Sequence, residues 1–227
     1  MYTARVKFKR GNEIRFISHL DMQRMVQRIL RRAHIPMKYS EGFNPHPKLA
    51  FAMAMSVGML SDCEYFDVEL ENHVDPDEMI SRINKSSPEG FTAVNALVTN
   101  QKMQSLTSLI EESEYTINAK LLNSEDSKKL EDAVKTILGE ESIKYRKRNK
   151  KGRYNEKEIR PLIKDLDLVI ENSKIKLGMR LSTGSKENLR PDVVIGILDP
   201  EKILFDWEFG FLTKRTFLGK SNLRERI

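Results

Sequence analysis

The stretch Ser18-His19-Leu20-Asp21-Met22-Gln23-Arg24-Met25-Val26-Gln27-Arg28-Ile29-Leu30-Arg31-Arg32-Ala33-His34-Ile35-Pro36 decides the fold of this chain. Ser18 reads as a helix N-cap, since its short hydroxyl side chain can accept from an amide of the first turn. Leu20, Met25, Ile29 and Ala33, with Val26 and Leu30 beside them, recur at helical spacing and predict one apolar face. Arg24, Arg28, Arg31 and Arg32 gather on the other face. Pro36 cannot continue the helix, which is expected to end near His34.

Strands surround this helix. Val6-Lys7-Phe8 and Ile14-Arg15-Phe16 predict a short hairpin about Gly11-Asn12. Met37–Ser40 reads as a brief strand, Leu49–Met55 as a buried one and Glu64–Glu71 as an alternating one. Asp75-Pro76-Asp77-Glu78 opens a second helix, with its proline early and its carboxylates at the positive end of the dipole. Phe91–Val98 closes the set. Strand, helix, strand, strand, helix, strand is the order of a split βαβ, or ferredoxin-like, domain, here residues 1–100.

Residues 100–112 form a polar connector, after which a similar order recurs over 113–227. Tyr115–Leu122 predicts a strand and Ser124–Leu138 a helix. Ser142–Arg148, Leu166–Ile170 and Ile175–Leu181 predict strands, Arg190-Pro191-Asp192 a helix to Leu198, and Phe205–Leu212 a last strand. No sequence identity relates the halves. The expected class is α+β: two tandem ferredoxin-like modules with antiparallel sheets.

Composition narrows the function. The 227 residues are 39% hydrophobic and 32% charged, the balance of a soluble globular protein. No apolar run approaches the roughly 20 residues of a membrane span, and the start, Met1-Tyr2-Thr3-Ala4-Arg5-Val6, has no apolar signal core. A cytoplasmic protein is expected. One cysteine, Cys63, excludes an internal disulfide or a cysteine-built metal cage, and no cofactor is expected. The net charge of +6 permits a polyanionic partner. Its distribution says more: residues 144–153, Lys-Tyr-Arg-Lys-Arg-Asn-Lys-Lys-Gly-Arg, carry seven positive charges and no negative one.

Four segments carry candidate chemistry. His19 sits in the first turn of the helix beside Ser18 and near Arg15; it can act as a general base or complete the cap. The loop Ser40-Glu41-Gly42-Phe43-Asn44-Pro45-His46-Pro47-Lys48 is stiffened by its prolines and can hold Phe43, Asn44, His46 and Lys48 against a ligand at little entropic cost. A metal held by His19, Asp21 and His46 is chemically conceivable, but no ligand-spacing motif supports it. The arginines 24, 28, 31 and 32 suit a row of phosphates, through bidentate charge-assisted bonds, or a plain solvated face. Lys144, Arg146, Arg148, Lys150 and Lys151 make either a hairpin tip or a nucleic-acid finger, with Tyr145 and Tyr154 available for stacking. Gly184-Ser185-Lys186-Glu187-Asn188-Leu189-Arg190-Pro191 precedes a helix without P-loop spacing and reads as capping.

Arg15-Phe16-x-Ser18-His19-Leu20-Asp21-x-x-Arg24, Arg31-Arg32-Ala33, Tyr39-Ser40-x-Gly42-Phe43-Asn44-Pro45-His46-Pro47-Lys48, Glu64-x-x-Asp67 and Gly184-Ser185-x-x-Asn188-Leu189-Arg190-Pro191 together resemble the radical SAM-linked protein family. That is a bacterial domain of unknown function, encoded beside or fused to cobalamin-binding-type radical SAM proteins. The resemblance implies a partner that carries iron–sulfur chemistry, and a role near RNA.

The expected function is therefore a non-catalytic RNA-binding partner that presents a structured RNA, ribosomal or transfer, to a radical SAM enzyme. The alternative is a metal-independent endoribonuclease, like the tandem ferredoxin-like enzymes that process CRISPR repeats, with His19 as base and Arg15 or Lys48 as electrostatic stabiliser. A third reading is a protein-interaction subunit whose basic surface meets an acidic partner.

Overall fold

A computed structural model of the chain describes residues 2–148, 152 and 154–220, the side chains of residues 147 and 148 apart. It is a mixed α+β protein of two compact units. The first runs to Ile110 and resumes at Lys214; the second is Glu111–Thr213. The chain thus divides near the predicted connector, but from Lys214 onward it returns to the first unit instead of completing the second.

In the first unit, β1 (Tyr2–Arg10) is flanked by β3 (Leu60–Leu70) and β4 (Phe91–Thr99), both antiparallel to it. The short β2 (Leu49–Phe51) pairs antiparallel with the far end of β3, with Phe51 opposite Phe66. Helices α1 (His19–Arg32) and α2 (Pro76–Ser86) cover one sheet face. Ala4, Val6 and Phe8 of β1 and Phe66, Val68 and Leu70 of β3 point into that layer, where Met22, Val26, Ile29 and Leu30 of α1 and Met79 and Ile83 of α2 meet them. Each such burial contributes about 1.5–3 kcal/mol, and Ala4 less. The opposite face carries a smaller cluster of Ala52, Cys63, Tyr65, Leu106, Ile110 and Leu218.

Both helix starts follow their capping residues. Ser18 accepts from the Asp21 amide at 3.2 Å, and Asp75 Oδ1 accepts from the amides of Asp77 and Glu78, each at 3.0 Å. The buried stripe of α1 is rotated from the predicted one. Met22 is buried whereas Leu20 is 63% exposed and Met25 only partly covered. Period alone admits either stripe; the packing surface chooses.

The hairpin predicted about Gly11-Asn12 does not form. Both edges of β1 are already paired, so residues 14–16 have no strand to join, and residues 12–14 make a 3₁₀ turn. Gly11 N donates to Gly90 O at 2.7 Å, and Gly90 takes φ +87°, a backbone conformation that favours glycine at this crossing. Arg10, buried at 2% exposure, fixes the turn by donating to the carbonyls of Ile14, Arg15 and Ile17 at 3.3, 2.7 and 2.8 Å.

The last strand lies later than predicted and its direction departs from an all-antiparallel sheet. β10 (Leu212–Gly219) runs parallel to β3, with Lys214 beside Leu60 and Arg215 beside Ser61. It is tied there by charge. Arg215 donates to Glu64 Oε1 at 2.8 Å, and Ser61 Oγ reaches the same oxygen at 2.7 Å, with both charged side chains about 5–6% exposed. Arg5 forms a bidentate pair with Asp67, both contacts at 2.9 Å. The Glu64-x-x-Asp67 motif is thus a pair of structural anchors.

In the second unit β5 (Glu112–Lys120), β9 (Lys174–Ser182) and β8 (Ile163–Glu171) pair antiparallel in that order, and β6 (Lys144–Arg148) and β7 (Tyr154–Glu158) form a separate hairpin. Helix α3 (Ser127–Gly139) packs on β8 and on α4 (Pro191–Leu198). Residues 205–211, predicted as strand, form a loop braced by Asp199. Its buried carboxylate accepts from Ile203 N, Phe205 N and Trp207 Nε1 at 2.8, 3.0 and 2.9 Å. Burial pushes the Asp199 pKa up, but these N–H donors outweigh it and hold the group below its ordinary value. Among the described residues, no helix is long and apolar enough to cross a membrane.

Candidate functional site

The arginine face of α1 is the face turned away from the core. At 100° per residue Leu20, Arg24, Arg28, Arg31 and Arg32 fall within an arc of about 120°, opposite the buried stripe, and all five are exposed. Arg24, Arg28 and Arg32 line one groove of about 290 Å³ with Asp21, Met25 and Pro88. Its two ends are held differently. Asp21 pairs with Arg24 at 3.2 Å, and Arg32 donates to the Ser86 carbonyl at 2.7 Å, which fixes its head beside the end of α2. Arg28 and Arg31 have no ion-pair partner among the described residues. Asp21 is held below the ordinary carboxylate range, first by the Ser18 hydroxyl and then by Arg24, so it stays charged and offsets one arginine of the row.

The proline loop is a closed hoop. Ser40 N donates to His46 O at 2.8 Å, His46 N donates to Ser40 Oγ at 3.1 Å, and the same hydroxyl lies 3.0 Å from His46 Nδ1. Tyr39 bridges Pro47 across its neck. At the tip Gly42 takes φ +114°, and Phe43 is fully exposed, at 106%. Asn44 and His46 are exposed beside it. Lys48 differs from its neighbours: Glu69 Oε2 lies 3.3 Å from its Nζ, so much of its charge is answered from β3.

His19 lies elsewhere. Its ring sits edge-on to Phe51 at 5.6 Å, while the neck of the hoop meets β3 at Glu69, through Lys38 N to Glu69 O. Phe51 pairs with Phe66, three residues or about 10 Å along the strand from that point. Gln23 Nε2 donates to His19 Nε2 at 3.2 Å, which calls for a proton on Nδ1. Burial lowers the His19 pKa, nearby Glu64 opposes this and Arg10 adds to it. Burial thus favours the neutral form of the ring, and Nε2 is the nitrogen that Gln23 engages. Arg15 lays its guanidinium 4.6 Å from the Phe16 ring centroid, and its Nε is buried without a hydrogen-bond partner among the described residues. Among the described residues no three His, Cys, Asp or Glu side chains converge as metal ligands, so His19, Asp21 and His46 do not form such a group.

The basic run of the second unit looks different once folded. Strand β7 brings Glu156 opposite Arg146 and Glu158 opposite Lys144. Glu156 pairs with Arg146 at 3.1 Å and Lys144 at 3.5 Å. Glu158 accepts from the Ser142 hydroxyl and from the amides of Ile143 and Arg160 at 2.8 and 2.9 Å, and these bonds bring its pKa down to about 2. The stretch with no acid in sequence thus gains two across the hairpin. Lys150, Lys151 and the side chain of Arg148 lie outside the described residues. Ahead of α4, Arg190 pairs with Asp192 at 2.7 Å. Sequence reasoning missed Arg10 and Asp199, whose partners lie four to eight residues along the chain in irregular turns that no periodic pattern marks, and Arg215, whose partner Glu64 is 151 residues away.

The model of a bacterial family described as "uncharacterized protein conserved in bacteria (DUF2344)" matches residues 3–191, and the chain belongs to that family. No curated protein matches it. Among solved structures it is similar to a chain of a Cbf5–Nop10–Gar1 complex, at 10% identity and a TM-score of 0.53, over 95% of this chain and 48% of that one. The chain therefore spans about half the length of that relative, and the likeness is one of α+β fold alone. It is also similar to an unknown protein from Galdieria sulphuraria, at 12% identity over 95% of this chain and 98% of that one; the TM-score of 0.25 carries no argument.

Proposed function

We propose that this protein is a non-catalytic RNA-binding subunit, cytoplasmic, that presents a structured RNA to a radical SAM enzyme. The observation that carries the RNA reading is the exposed row Arg24, Arg28, Arg31 and Arg32, opposed in its groove by one acid and with Arg28 and Arg31 unpaired among the described residues. Guanidinium groups so placed suit successive phosphates. The hoop at residues 40–46 holds Phe43, Asn44 and His46 out in solvent, where an aromatic ring and an amide can meet a nucleotide. The radical SAM partner is supported by the motif resemblance at residues 15–48 and 184–191. Both units are further read as split βαβ modules. Support comes from the order β4-β1-β3-β2 with α1 and α2 on one face, and from β5-β9-β8 with α3 following β5 and α4 following β9.

The test is fluorescence anisotropy with bulk transfer RNA as probe, across a salt series. Arg28→Glu with Arg31→Glu is expected to weaken binding at least roughly tenfold near 0.1 M salt and to flatten the plot of log affinity against log salt by about 2. Unchanged affinity and slope would overturn the RNA reading. The arrangement around His19, with Nε2 occupied, does not favour it as the base of a nuclease.

A further inference from the structure

We infer that Phe16 is a stacking platform for one unpaired RNA base, set at the N-terminal end of the α1 arginine row. Resting on the RNA reading above, this adds a contact residue and narrows the substrate class to RNA with a single-stranded segment at this site. Phe16 is 67% exposed and Leu20 63%. An apolar residue just before a helix usually packs against the fourth helical residue. Here Ile17 and Met22 occupy those two positions and both pack into the core. Phe16, one residue further out, has no packing role of that kind.

The ring is nonetheless held in place. The Arg15 guanidinium lies over it, and Gly58 N donates to Arg15 O at 2.7 Å, which ties the backbone beside Phe16. Buried Arg10 grips the carbonyls of Ile14, Arg15 and Ile17 on both sides of the residue. A planar apolar surface backed by a cation and carried on fixed backbone suits a base: stacking and cation–π attraction act together, with little ordering cost. Leu20 continues the same arc of α1 as Arg24, Arg28 and Arg31, and Leu20 to Arg31 spans about 16 Å along the axis. A strand whose phosphates follow the arginines can therefore lay a base over Phe16. Paired bases in a duplex are stacked on one another and have no free face to offer, so the site selects an unpaired nucleotide. A lone exposed apolar side chain would need no explanation; the bound guanidinium and the adjoining arginine row are what set this one apart.

The experiment uses the full chain with two probes at equal salt, a labelled oligoadenylate and a blunt RNA duplex of the same length. Phe16→Ala is expected to weaken the single strand roughly 5- to 100-fold, leave the duplex within about twofold, and leave the salt slope unchanged. Phe16→Trp should retain single-strand affinity and show added indole quenching on binding. If Phe16→Ala changes neither probe, or both equally, the platform is refuted. Should that happen while Arg28→Glu with Arg31→Glu still weakens binding, only the platform falls; if the wild type binds neither probe, the RNA reading falls with it.

Discussion

Helix α1, with four spaced arginines, and the β6–β7 hairpin, with the basic run 144–153, both read as cationic in sequence, yet folding surrounds them differently. In α1 the side chains nearest each arginine on its own face are those three and four residues along the chain, and the end of α2 meets Arg32. Asp21 is the acid the groove offers; it forms its ion pair with Arg24 and is also within electrostatic reach of Arg28. In the hairpin the neighbours come from the partner strand. There Glu156 and Glu158 lie directly opposite Arg146 and Lys144, although in sequence they stand 10 and 14 residues away. Charge density on a helix can be judged from a short window of sequence. On a strand it cannot be judged until the pairing register is known.

Three experiments test how far pairing decides what a charge does. The largest effect is expected where pairing is buried. Arg215→Ala leaves Glu64 without its ion-pair partner in a site about 6% exposed, and should cost about 3–5 kcal/mol in urea unfolding. A loss below about 1 kcal/mol would mean the pair behaves like a surface bridge. The direct contrast comes next. Lys144→Glu with Arg146→Glu should change transfer RNA affinity less than about threefold, against at least roughly tenfold for the α1 double reversal. Equal effects would end the distinction between the two regions. The smallest effect is expected at His19. Its pKa is lowered in the fold, so the unfolded chain binds the proton more tightly. Stability should be full above about pH 6.5 and fall as the pH drops from there toward the folded value. In Tm measured against pH, His19→Gln should flatten that fall; an unchanged profile would show that the ring is not held neutral.

How much was legible from sequence follows the range of the interactions. Ser18 as cap, the Asp75-Pro76 helix start and the helix from Pro191 are set within three or four residues, and all three stand as read. The four arginines of α1 were legible as one face for the same reason. The hairpin about Gly11 failed because its signal, a turn pair between apolar runs, ignores competition for the edges of β1. Leu20 was assigned to the core because helical period fixes spacing and not phase. Lys48, Lys144 and Arg146 gained acidic partners, Glu69 and Glu156, that their own sequence neighbourhood does not contain.

By itself the sequence determined helices α1 to α4, most of the strands, the caps of α1 and α2, the basic arc of α1 and the proline-stiffened loop. Each of these depends on residues close enough in the chain to act on one another in any fold. Only the tertiary structure decided that β10 runs beside β3, that Glu64 and Asp67 are anchors for Arg215 and Arg5, and that among the described residues Arg28 and Arg31 have no ion-pair partner while Lys144 and Arg146 do. Those outcomes depend on which distant side chains burial and strand register bring within about 4 Å, and an ion pair exists only at that distance.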